Sequence, residues 1–311
     1  MNDKGARTMP KNLCRSAFFV LVLVPASFAG NAESRLLTPP VAKDDQAAVL
    51  VGAGDIADCK NLVGAEATAK LLDLIPGTVM AVGDLAYPDG SKENFTCYDK
   101  TWGRARSRTR PALGNHEFHA AGATPYFDYF GVAAGDPKTG YYSYELGPWH
   151  IIVLNSECKD VGGCDSGSPQ ERWLRADLAA HPVACTLAYW HKPLFSSGSA
   201  HGNDLTVKML WDALYDANAD VVINGHDHDY ERFAPQAPDG TLDSARGIRE
   251  FVVGTGGKGL RPFGAPKPNS EVRNTEAFGV LKLTLHAKGY DWQFVPEEGK
   301  TYGDSGSGVC H

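Results

Sequence analysis

The chain has 311 residues, of which 43% are hydrophobic and 22% charged, and its formal net charge is −7. Such a chain can bury a sizeable core, as one large domain or two small ones. The negative balance argues against a general nucleic-acid or acidic-membrane binder, because that binding needs clustered lysine and arginine. A small phosphorylated substrate stays open, since metal ions can dominate the local field of a site.

Residues 1–32 have the pattern of a signal peptide. Basic residues precede an apolar run at 17–24, and Gly30-Asn31-Ala32 follows as a cleavage site. The alternative is a membrane anchor, but the apolar run is short for a bilayer span. We therefore expect a secreted or periplasmic protein with no membrane association after cleavage. A polar linker is expected at 33–45 and a C-terminal tail at 299–311.

Six cysteines follow the leader, and an even number in an exported chain favours disulfide bonds. Cys158 and Cys164 flank a glycine-rich loop, so their pairing is the first expectation. The other four would complete the set as Cys59–Cys97 and Cys185–Cys310, although spacing alone leaves the connectivity open. A zinc cluster is the alternative, and the lack of a Cys-x-x-Cys pair argues against it.

Hydrophobic patterns predict the elements of an α/β sandwich. Short apolar runs predict buried strands at 49–51, 79–82, 111–113, 187–189 and 221–223. Helical spacing predicts helices at 64–75 and from about 205 to 218, and Ser168-Pro169-Gln170-Glu171 predicts a capping box that begins another. Further strands are expected at 150–154, 250–253 and 280–285, the last two in a second sheet packed on the first. The aromatic segment 126–144 is expected to fill the core rather than line a pocket.

Five strands are each followed directly by polar residues of the types that bind metals. The clusters are Gly54-Asp55, Gly83-Asp84-Leu85-Ala86-Tyr87, Gly114-Asn115-His116-Glu117, Trp190-His191 and Gly225-His226-Asp227-His228. Ligand groups gather beyond the carboxyl ends of strands in open α/β sheets, so we expect one shared site. Oxygen ligands with imidazoles suit iron, manganese or zinc better than calcium. Two metals about 3.5–4 Å apart can clamp the oxygens of an in-line phosphoryl displacement.

In this order the five clusters resemble the calcineurin-like metallophosphoesterases, and within them the purple acid phosphatases of the plant and bacterial branch. The resemblance extends from Val49 to Phe294. It implies a phosphoesterase domain at 46–298, built as two mixed β-sheets packed as a sandwich, flanked by helices, with a βαβαβ core. Many relatives carry a metal-binding histidine where this chain has Ala57, and Tyr87 can supply the missing ligand. We expect no counterpart of the separate β-sandwich domain of the large plant enzymes.

The resemblance also implies a dinuclear metal centre, Fe³⁺ with a divalent ion (Zn²⁺, Fe²⁺ or Mn²⁺). The implied ligands are Asp55, Tyr87 and His228 for the ferric ion, Asn115, His191 and His226 for the divalent ion, and Asp84 as the bridge. A tyrosine phenolate favours iron(III) at the first position. His116 would act near the leaving group as a general acid or as a hydrogen-bond donor to the phosphate. His201 would face the substrate.

These residues lead to a phosphatase that hydrolyses phosphate monoesters by in-line attack of a metal-bound hydroxide. A phosphodiesterase or nucleotidase on the same dinuclear site is the alternative, and a metal-dependent binding protein without turnover is a third. The expected partner is a small phosphorylated substrate and not nucleic acid, while the natural substrate and oligomeric state stay open. The run 254–259 resembles a phosphate loop only superficially, because Ser or Thr does not follow its lysine, and a turn is expected. Glu117 and Arg232 stay without an assigned role.

Overall fold

The computed structural model describes residues 47–311. The predicted signal peptide and linker lie outside the described residues. In the part of the chain that is described, no helix is long and apolar enough to cross a membrane. The α-helices of this part are α1 (Val63–Leu74), α2 (Lys92–Lys100), α3 (Thr124–Phe130), α4 (Pro169–Ala180) and α5 (Lys208–Asp216). Short 3-10 helices stand at Trp102–Arg108, Glu117–His119, Ala121–Ala123, Gly131–Ala134 and Leu205–Val207.

The first sheet has three parallel strands at one side and three antiparallel strands at the other. Its order is β15 (Ser305–Val309), β14 (Gly289–Pro296), β13 (Gly279–His286), β1 (Ala48–Ala53), β3 (Thr78–Val82) and β5 (Thr109–Ala112). Strands β1, β3 and β5 run parallel to one another. Their carboxyl ends therefore meet at one edge, and the first three polar clusters begin there.

The second sheet is also mixed. Its order is β12 (Ser270–Asn274), β10 (Tyr230–Phe233), β11 (Arg249–Val253), β9 (Val221–Asn224), β8 (Thr186–Tyr189), β7 (Trp149–Val153) and β6 (Tyr142–Leu146). Strands β7, β8, β9 and β11 are parallel, and the remaining three pair antiparallel with their neighbours. The last two polar clusters follow β8 and β9. A two-stranded ladder of β2 (Ala57–Asp58) and β4 (Ala86–Tyr87) joins the first two clusters.

The main core contains buried side chains of both sheets, including Val51 and Val79 from the first sheet and Leu187 and Ile223 from the second. Alternate residues of the second sheet face the opposite way. Ala188 belongs to a separate apolar cluster with residues of α4 and α5. This two-residue alternation is the ordinary geometry of a strand. The architecture confirms the predicted α/β class with two mixed sheets.

One predicted pairing is wrong. The strands expected at 250–253 and 280–285 do not form a sheet together. Strand β11 extends the second sheet by pairing with β9, whereas β13 pairs antiparallel with β1 in the first sheet. A buried apolar run predicts a strand but contains no information about its neighbour, so the pattern could not assign these two strands to sheets.

The other predicted elements appear close to their expected positions. Helix α4 begins after Ser168, whose hydroxyl oxygen accepts a hydrogen bond from the Glu171 backbone N–H at 3.3 Å. The Glu171 carboxylate accepts from Gly167 N–H at 3.0 Å, one residue earlier than in the usual capping box. Sequence patterns missed α2 and α3, which are short and aromatic.

The prediction for the aromatic segment holds only in part: its aromatic side chains pack in or against the core, while most of 131–139 is exposed or half-buried. Tyr126 and Phe130 of α3 are buried, and the Tyr126 hydroxyl donates to the Pro111 carbonyl oxygen at 2.9 Å. The Tyr142 hydroxyl donates to the same oxygen at 2.8 Å. Strand β5 is the edge of its sheet, and these hydroxyls satisfy a carbonyl that has no neighbouring strand.

All three expected disulfide bonds are present, Cys59–Cys97, Cys158–Cys164 and Cys185–Cys310. The last bond links the start of β8 to the C-terminal end of β15. Residues 299–311, expected as a tail, thus include an edge strand that pairs with β14 from Gly289 to Gln293. Glycine and serine have low strand propensity, which explains why the sequence did not predict this strand.

Candidate metal centre

The candidate centre lies where the loops after β1, β3, β5, β8 and β9 meet. Three of its residues, Asp55, Asp84 and His226, have left-handed backbones with φ of 60°, 52° and 74°. This conformation costs a non-glycine residue about 1–3 kcal/mol and is concentrated at functional sites. These conformations turn the backbone sharply where the strands end, and the three side chains face the same centre there.

The first group of side chains surrounds the hydroxyl oxygen of Tyr87. Its hydroxyl oxygen lies 2.7 Å from Oδ1 of Asp55, 3.1 Å from Oδ2 of Asp84 and 3.2 Å from Nε2 of His228. All four side chains are at most 2% exposed. Tyr87 thus completes a buried set of oxygen and nitrogen donors with Asp55, Asp84 and His228.

A second group lies on the other side of Asp84. Its Oδ2 is 3.1 Å from Nε2 of His191, which in turn is 3.2 Å from Nδ1 of His226. The side-chain oxygen of Asn115 is buried and has no hydrogen-bond partner among residues 47–311. An unpaired buried amide oxygen costs free energy unless it has a ligand. The single oxygen Oδ2 of Asp84 therefore borders both groups.

Hydrogen bonds from outside the cluster orient two of the imidazoles. Nδ1 of His191 lies 3.0 Å from the Val82 carbonyl oxygen, and Nδ1 of His228 lies 2.9 Å from the Gly259 carbonyl oxygen. A carbonyl can only accept, so Nδ1 carries the proton in both rings. This leaves each Nε2 lone pair directed into the cluster, the usual arrangement of metal-binding histidines.

The charges of the buried groups constrain one another. Burial raises the pKa of the Asp84 carboxyl, but His191 and His116 overcome this effect and hold that pKa far below its usual range. Burial lowers the pKa of His191, while Asp84 and Asp55 reverse the effect and raise it to about 10. Burial and the same two carboxylates raise the pKa of the Tyr87 phenol well above its ordinary value. The cluster therefore favours positive charge, as protons or as metal cations.

The donor set fits a pair of metal cations. It combines carboxylate, phenol and amide oxygens with imidazole nitrogens, which is the mixture expected for iron, zinc or manganese. The Asn115 oxygen has no hydrogen-bond partner among residues 47–311, and Nε2 of His191 and Nε2 of His228 both face other donors of the cluster. Asp84, between the two groups, is placed to serve both cations.

Two glycines permit the close approach. Gly83 has a φ of 77°, and a Cβ there would lie 2.6 Å from the His191 ring. A Cβ at Gly114 would lie 2.3 Å from Oδ1 of Asp84. These contacts are shorter than any side chain allows, so only glycine lets the loops pack this tightly around the carboxylate.

His116 and His201 lie at the rim. Nε2 of His116 is 3.7 Å from Oδ2 of Asp84, and its Nδ1 faces the Pro88 carbonyl oxygen. The His201 ring stacks on His226 with ring centroids 3.9 Å apart. Among the histidines left without a role at the sequence level, His119 has its ring 4.9 Å from that of His116.

The model of the calcineurin-like phosphoesterase family matches residues 41–230, which is more than half of the chain. The chain belongs to this family. It is 29% identical to purple acid phosphatase 18 of Arabidopsis thaliana over 70% of this chain and 54% of that protein. An uncharacterised protein of Mycobacterium tuberculosis is 28% identical over 71% of this chain and 48% of its own length. The chain thus spans about half the length of these relatives.

Solved structures of the calcineurin-like phosphoesterase fold are similar as well. A purple acid phosphatase from yellow lupin (Lupinus luteus) seeds has a TM-score of 0.71 and 20% identity, over 86% of this chain and 55% of that one. GAP50 of Plasmodium, described as the anchor in the inner membrane complex, has a TM-score of 0.65 and 13% identity, over 85% and 89%. Both matches confirm the fold, and the family match together with the identity to purple acid phosphatase 18 confirms the predicted resemblance.

Glu117 was assigned no role from the sequence, although it is the last residue of the third cluster of this calcineurin-like phosphoesterase. It is fully buried, and one of its oxygens accepts from the N–H groups of Asp84 and Gly114, both at 2.9 Å. Its other oxygen accepts from Leu85 and Ala86 at 2.8 and 3.3 Å. Glu117 therefore joins the loops that carry Asp84 and Asn115.

Asp227, between the two histidines of the last motif, was also missed. Its buried carboxylate accepts from the Ser196 hydroxyl at 2.6 Å and from the N–H groups of His201 and Gly202 at 3.2 and 2.9 Å. It fixes the loop that carries His201. No local sequence pattern indicates such contacts, because they depend on which loops meet.

Proposed function

We propose that this chain is an exported phosphatase that hydrolyses phosphate monoesters at a dinuclear metal centre. The observation that carries the proposal is the position of Asp84, whose Oδ2 lies 3.1 Å from both the Tyr87 hydroxyl and His191 Nε2. One carboxylate oxygen between two buried donor groups suits two neighbouring cations. Export is supported by the leader pattern at 1–32 and by three disulfide bonds.

Each donor group would hold one cation. Asp55, Tyr87 and His228 would bind a ferric ion, and Asn115, His191 and His226 a divalent zinc, iron or manganese ion, with Asp84 shared. Because burial and two carboxylates raise the phenol pKa, only a strongly acidic cation would deprotonate Tyr87, which supports iron(III) there. When bound, the two cations would supply Lewis acidity to the phosphate and activate water.

The remaining chemistry would be done by the protein. The Pro88 carbonyl holds the His116 ring through Nδ1, so Nε2 faces the centre. In the imidazolium form, this Nε2–H would donate its proton to the departing alcohol oxygen. His201, held by Asp227 and stacked on His226, would contact the substrate from the opposite side. The partner implied is a small phosphorylated molecule.

Two measurements on the purified full chain test the proposal. Metal analysis with a visible spectrum should give about two metals per chain and an absorption band from tyrosinate-to-iron charge transfer. Values of kcat/KM for an aryl phosphate monoester should exceed those for the corresponding diester. A colourless, iron-free but fully active enzyme would contradict the iron assignment, and a preference for the diester would favour a phosphodiesterase.

The Asn115→Ala variant separates an enzyme from a binding protein. It removes the unpaired buried oxygen, so we expect loss of the second cation and of most activity. The matched control is Asn94→Ala in α2, whose side-chain oxygen accepts from the Asp89 backbone N–H and belongs to neither donor group. Unchanged activity in Asn115→Ala would overturn the assigned role. Wild-type protein that binds metals without turnover would indicate a binding role, as GAP50 of the same fold is described as an anchor.

A further inference from the structure

The glycine-rich run 254–259, expected to be a turn, borders the candidate centre together with the two residues that follow it. The N–H of Lys258 donates to the Asp55 carbonyl oxygen at 2.8 Å, and the N–H of Arg261 donates to the His228 carbonyl oxygen at 2.9 Å. The Gly259 carbonyl oxygen faces His228 Nδ1. The segment is therefore fixed to the backbones of two proposed metal ligands, and its side chains have defined positions at the rim.

Arg261 is held beside the centre by its side chain as well. Its Nη1 lies 2.7 Å from Nε2 of His201, and a guanidinium can only donate, so His201 Nε2 accepts. The His201 ring in turn stacks on His226. The His201 ring thus lies between the guanidinium and the proposed ligand His226.

Arg261 differs from the other cations at this rim by its lack of an acidic partner. Lys258 is paired with Asp58, and Lys192 is paired with Glu157 at 2.8 Å. Within residues 47–311, no carboxylate lies within 4.0 Å of Arg261. Its guanidinium is partly exposed and has only the His201 side chain as a hydrogen-bond partner in this range, so most of its donors are free for a ligand.

We propose that Arg261 binds a second phosphate group of the substrate, carried by the leaving alcohol and contacting the guanidinium beside His201. This inference rests on the proposed function and makes the substrate class small esters with two phosphates. The planar guanidinium binds the oxygens of a phosphate in a bidentate manner. A phosphate also carries more negative charge than a carboxylate, so it gains more from an unpaired cation. Substrates with an uncharged leaving group would not contact Arg261.

Three substrates with the same ester chemistry test the inference in the metal-loaded full chain: propyl phosphate, 3-(phosphonooxy)propanoate and propane-1,3-diyl bisphosphate. We expect the wild-type kcat/KM to be highest for the bisphosphate, by on the order of tenfold to hundredfold over propyl phosphate. Arg261→Ala should lower the kcat/KM for the bisphosphate far more than the kcat/KM for propyl phosphate, which is affected only through the lost contact with His201. Arg261→Lys should keep part of the preference. The control is Arg246→Ala. The Arg246 guanidinium stacks on Tyr215 near the amino end of β9, so its removal should change the kcat/KM of neither substrate.

Equal wild-type rates on propyl phosphate and the bisphosphate would overturn the inference, as would an equal loss on both in Arg261→Ala. If the kcat/KM for 3-(phosphonooxy)propanoate equals that for the bisphosphate, the site does not prefer phosphate over carboxylate, and the assignment of a second phosphate would be overturned. If no substrate is turned over, the proposed function fails but the inference is still tested by binding. Arg261→Ala should then lower the affinity for propane-1,3-bisphosphonate relative to propylphosphonate by tenfold or more, and an unchanged ratio would overturn it.

Discussion

The hydroxyl oxygen of Tyr87 lies 2.7 Å from Oδ1 of Asp55, although 32 positions separate the two residues. The ladder of β2 and β4 brings them together, because Ala57 pairs with Ala86 and Asp58 pairs with Tyr87. The resemblance implies that Ala57 stands where many relatives would place a metal-binding histidine and that Tyr87 would supply the ligand instead. These two positions lie on paired strands beside the same carboxylate.

Tyr87→Phe should remove one metal site while it keeps the fold. The change deletes the oxygen that Asp55, Asp84 and His228 surround but leaves the buried ring. We expect the visible absorption band to be lost and the metal affinity of the first site to fall by about tenfold to a hundredfold. Metal analysis and the spectrum measure both effects. Tyr126→Phe, which also removes a buried hydroxyl, is the control, and an unchanged spectrum in Tyr87→Phe would disprove the phenolate ligand.

Most of the proposed ligands could be placed from the sequence because they lie within a few residues of the end of a recognisable apolar strand. Asp55, Asp84 and Asn115 end parallel strands of one sheet, and His191 and His226 end parallel strands of the other. Local pattern and strand polarity were sufficient to predict that they meet. Tyr87 required a resemblance, because an isolated buried tyrosine is more often a packing residue.

The contacts that support the centre were not predictable in the same way. Glu117 binds backbone N–H groups about 30 residues earlier in the chain, and Arg261 reaches His201 across 60 residues. Such contacts depend on which loops become neighbours after the sheets pack. The same limit explains the wrong pairing of β11 and β13, whose sequences indicate burial but not a partner.

Glu117→Gln should loosen the loops that carry Asp84 and Asn115. The carboxylate accepts four backbone N–H groups with two oxygens, and glutamine would place an NH₂ donor against two of them. We expect the free energy of unfolding to fall by about 2–3 kcal/mol and metal occupancy to fall with it. Denaturant titration and metal analysis measure these, with the surface change Glu66→Gln as control. Full occupancy with wild-type stability would show that the four hydrogen bonds do not matter.

His116→Ala should lower kcat by a factor that depends on how basic the leaving oxygen is. If Nε2 of His116 protonates the departing oxygen, alkyl phosphates should lose about 10²–10⁴-fold in kcat. Aryl phosphates with acidic phenols need less protonation and should lose much less. Metal content should stay unchanged. His119→Ala, at the neighbouring ring, is the control, and an equal loss on alkyl and aryl esters would exclude a role as general acid.

His150 should make stability depend on pH at a place far from the metal residues. This buried ring lies 2.7 Å from a Glu145 oxygen and 2.8 Å from an Asp177 oxygen, and it stacks on His181. Burial lowers its pKa, but the two carboxylates outweigh burial and raise it above the ordinary value. The folded state therefore binds the proton more tightly than the unfolded state. The stabilisation is complete below about pH 6.5 and is lost as pH rises through the folded pKa.

Denaturant unfolding of wild type and His150→Gln from pH 5.5 to 9 checks this prediction. We expect the variant to be less stable by on the order of 2 kcal/mol at the acidic end, with a difference that shrinks as pH rises. His286→Gln is the control, because His286 lies on an exposed ion pair with Asp291. A difference that is constant or grows with pH would contradict the raised pKa.

The disulfide bonds should contribute differently to the free energy of unfolding, because they close loops of very different length. Cys185–Cys310 spans 125 residues and holds β15 on the sheet, whereas Cys158–Cys164 spans only 6. Loop-closure entropy predicts losses in unfolding free energy of about 5 and about 2 kcal/mol when each pair is replaced by alanine. Guanidinium unfolding of the two double variants measures this. Within residues 47–311, β15 is an edge strand that pairs only with β14. The first variant should therefore also lose protection of the amides of β14 and β15 from hydrogen exchange before the rest of the sheet. Uniform exchange throughout that sheet would show that β15 does not depend on the bond.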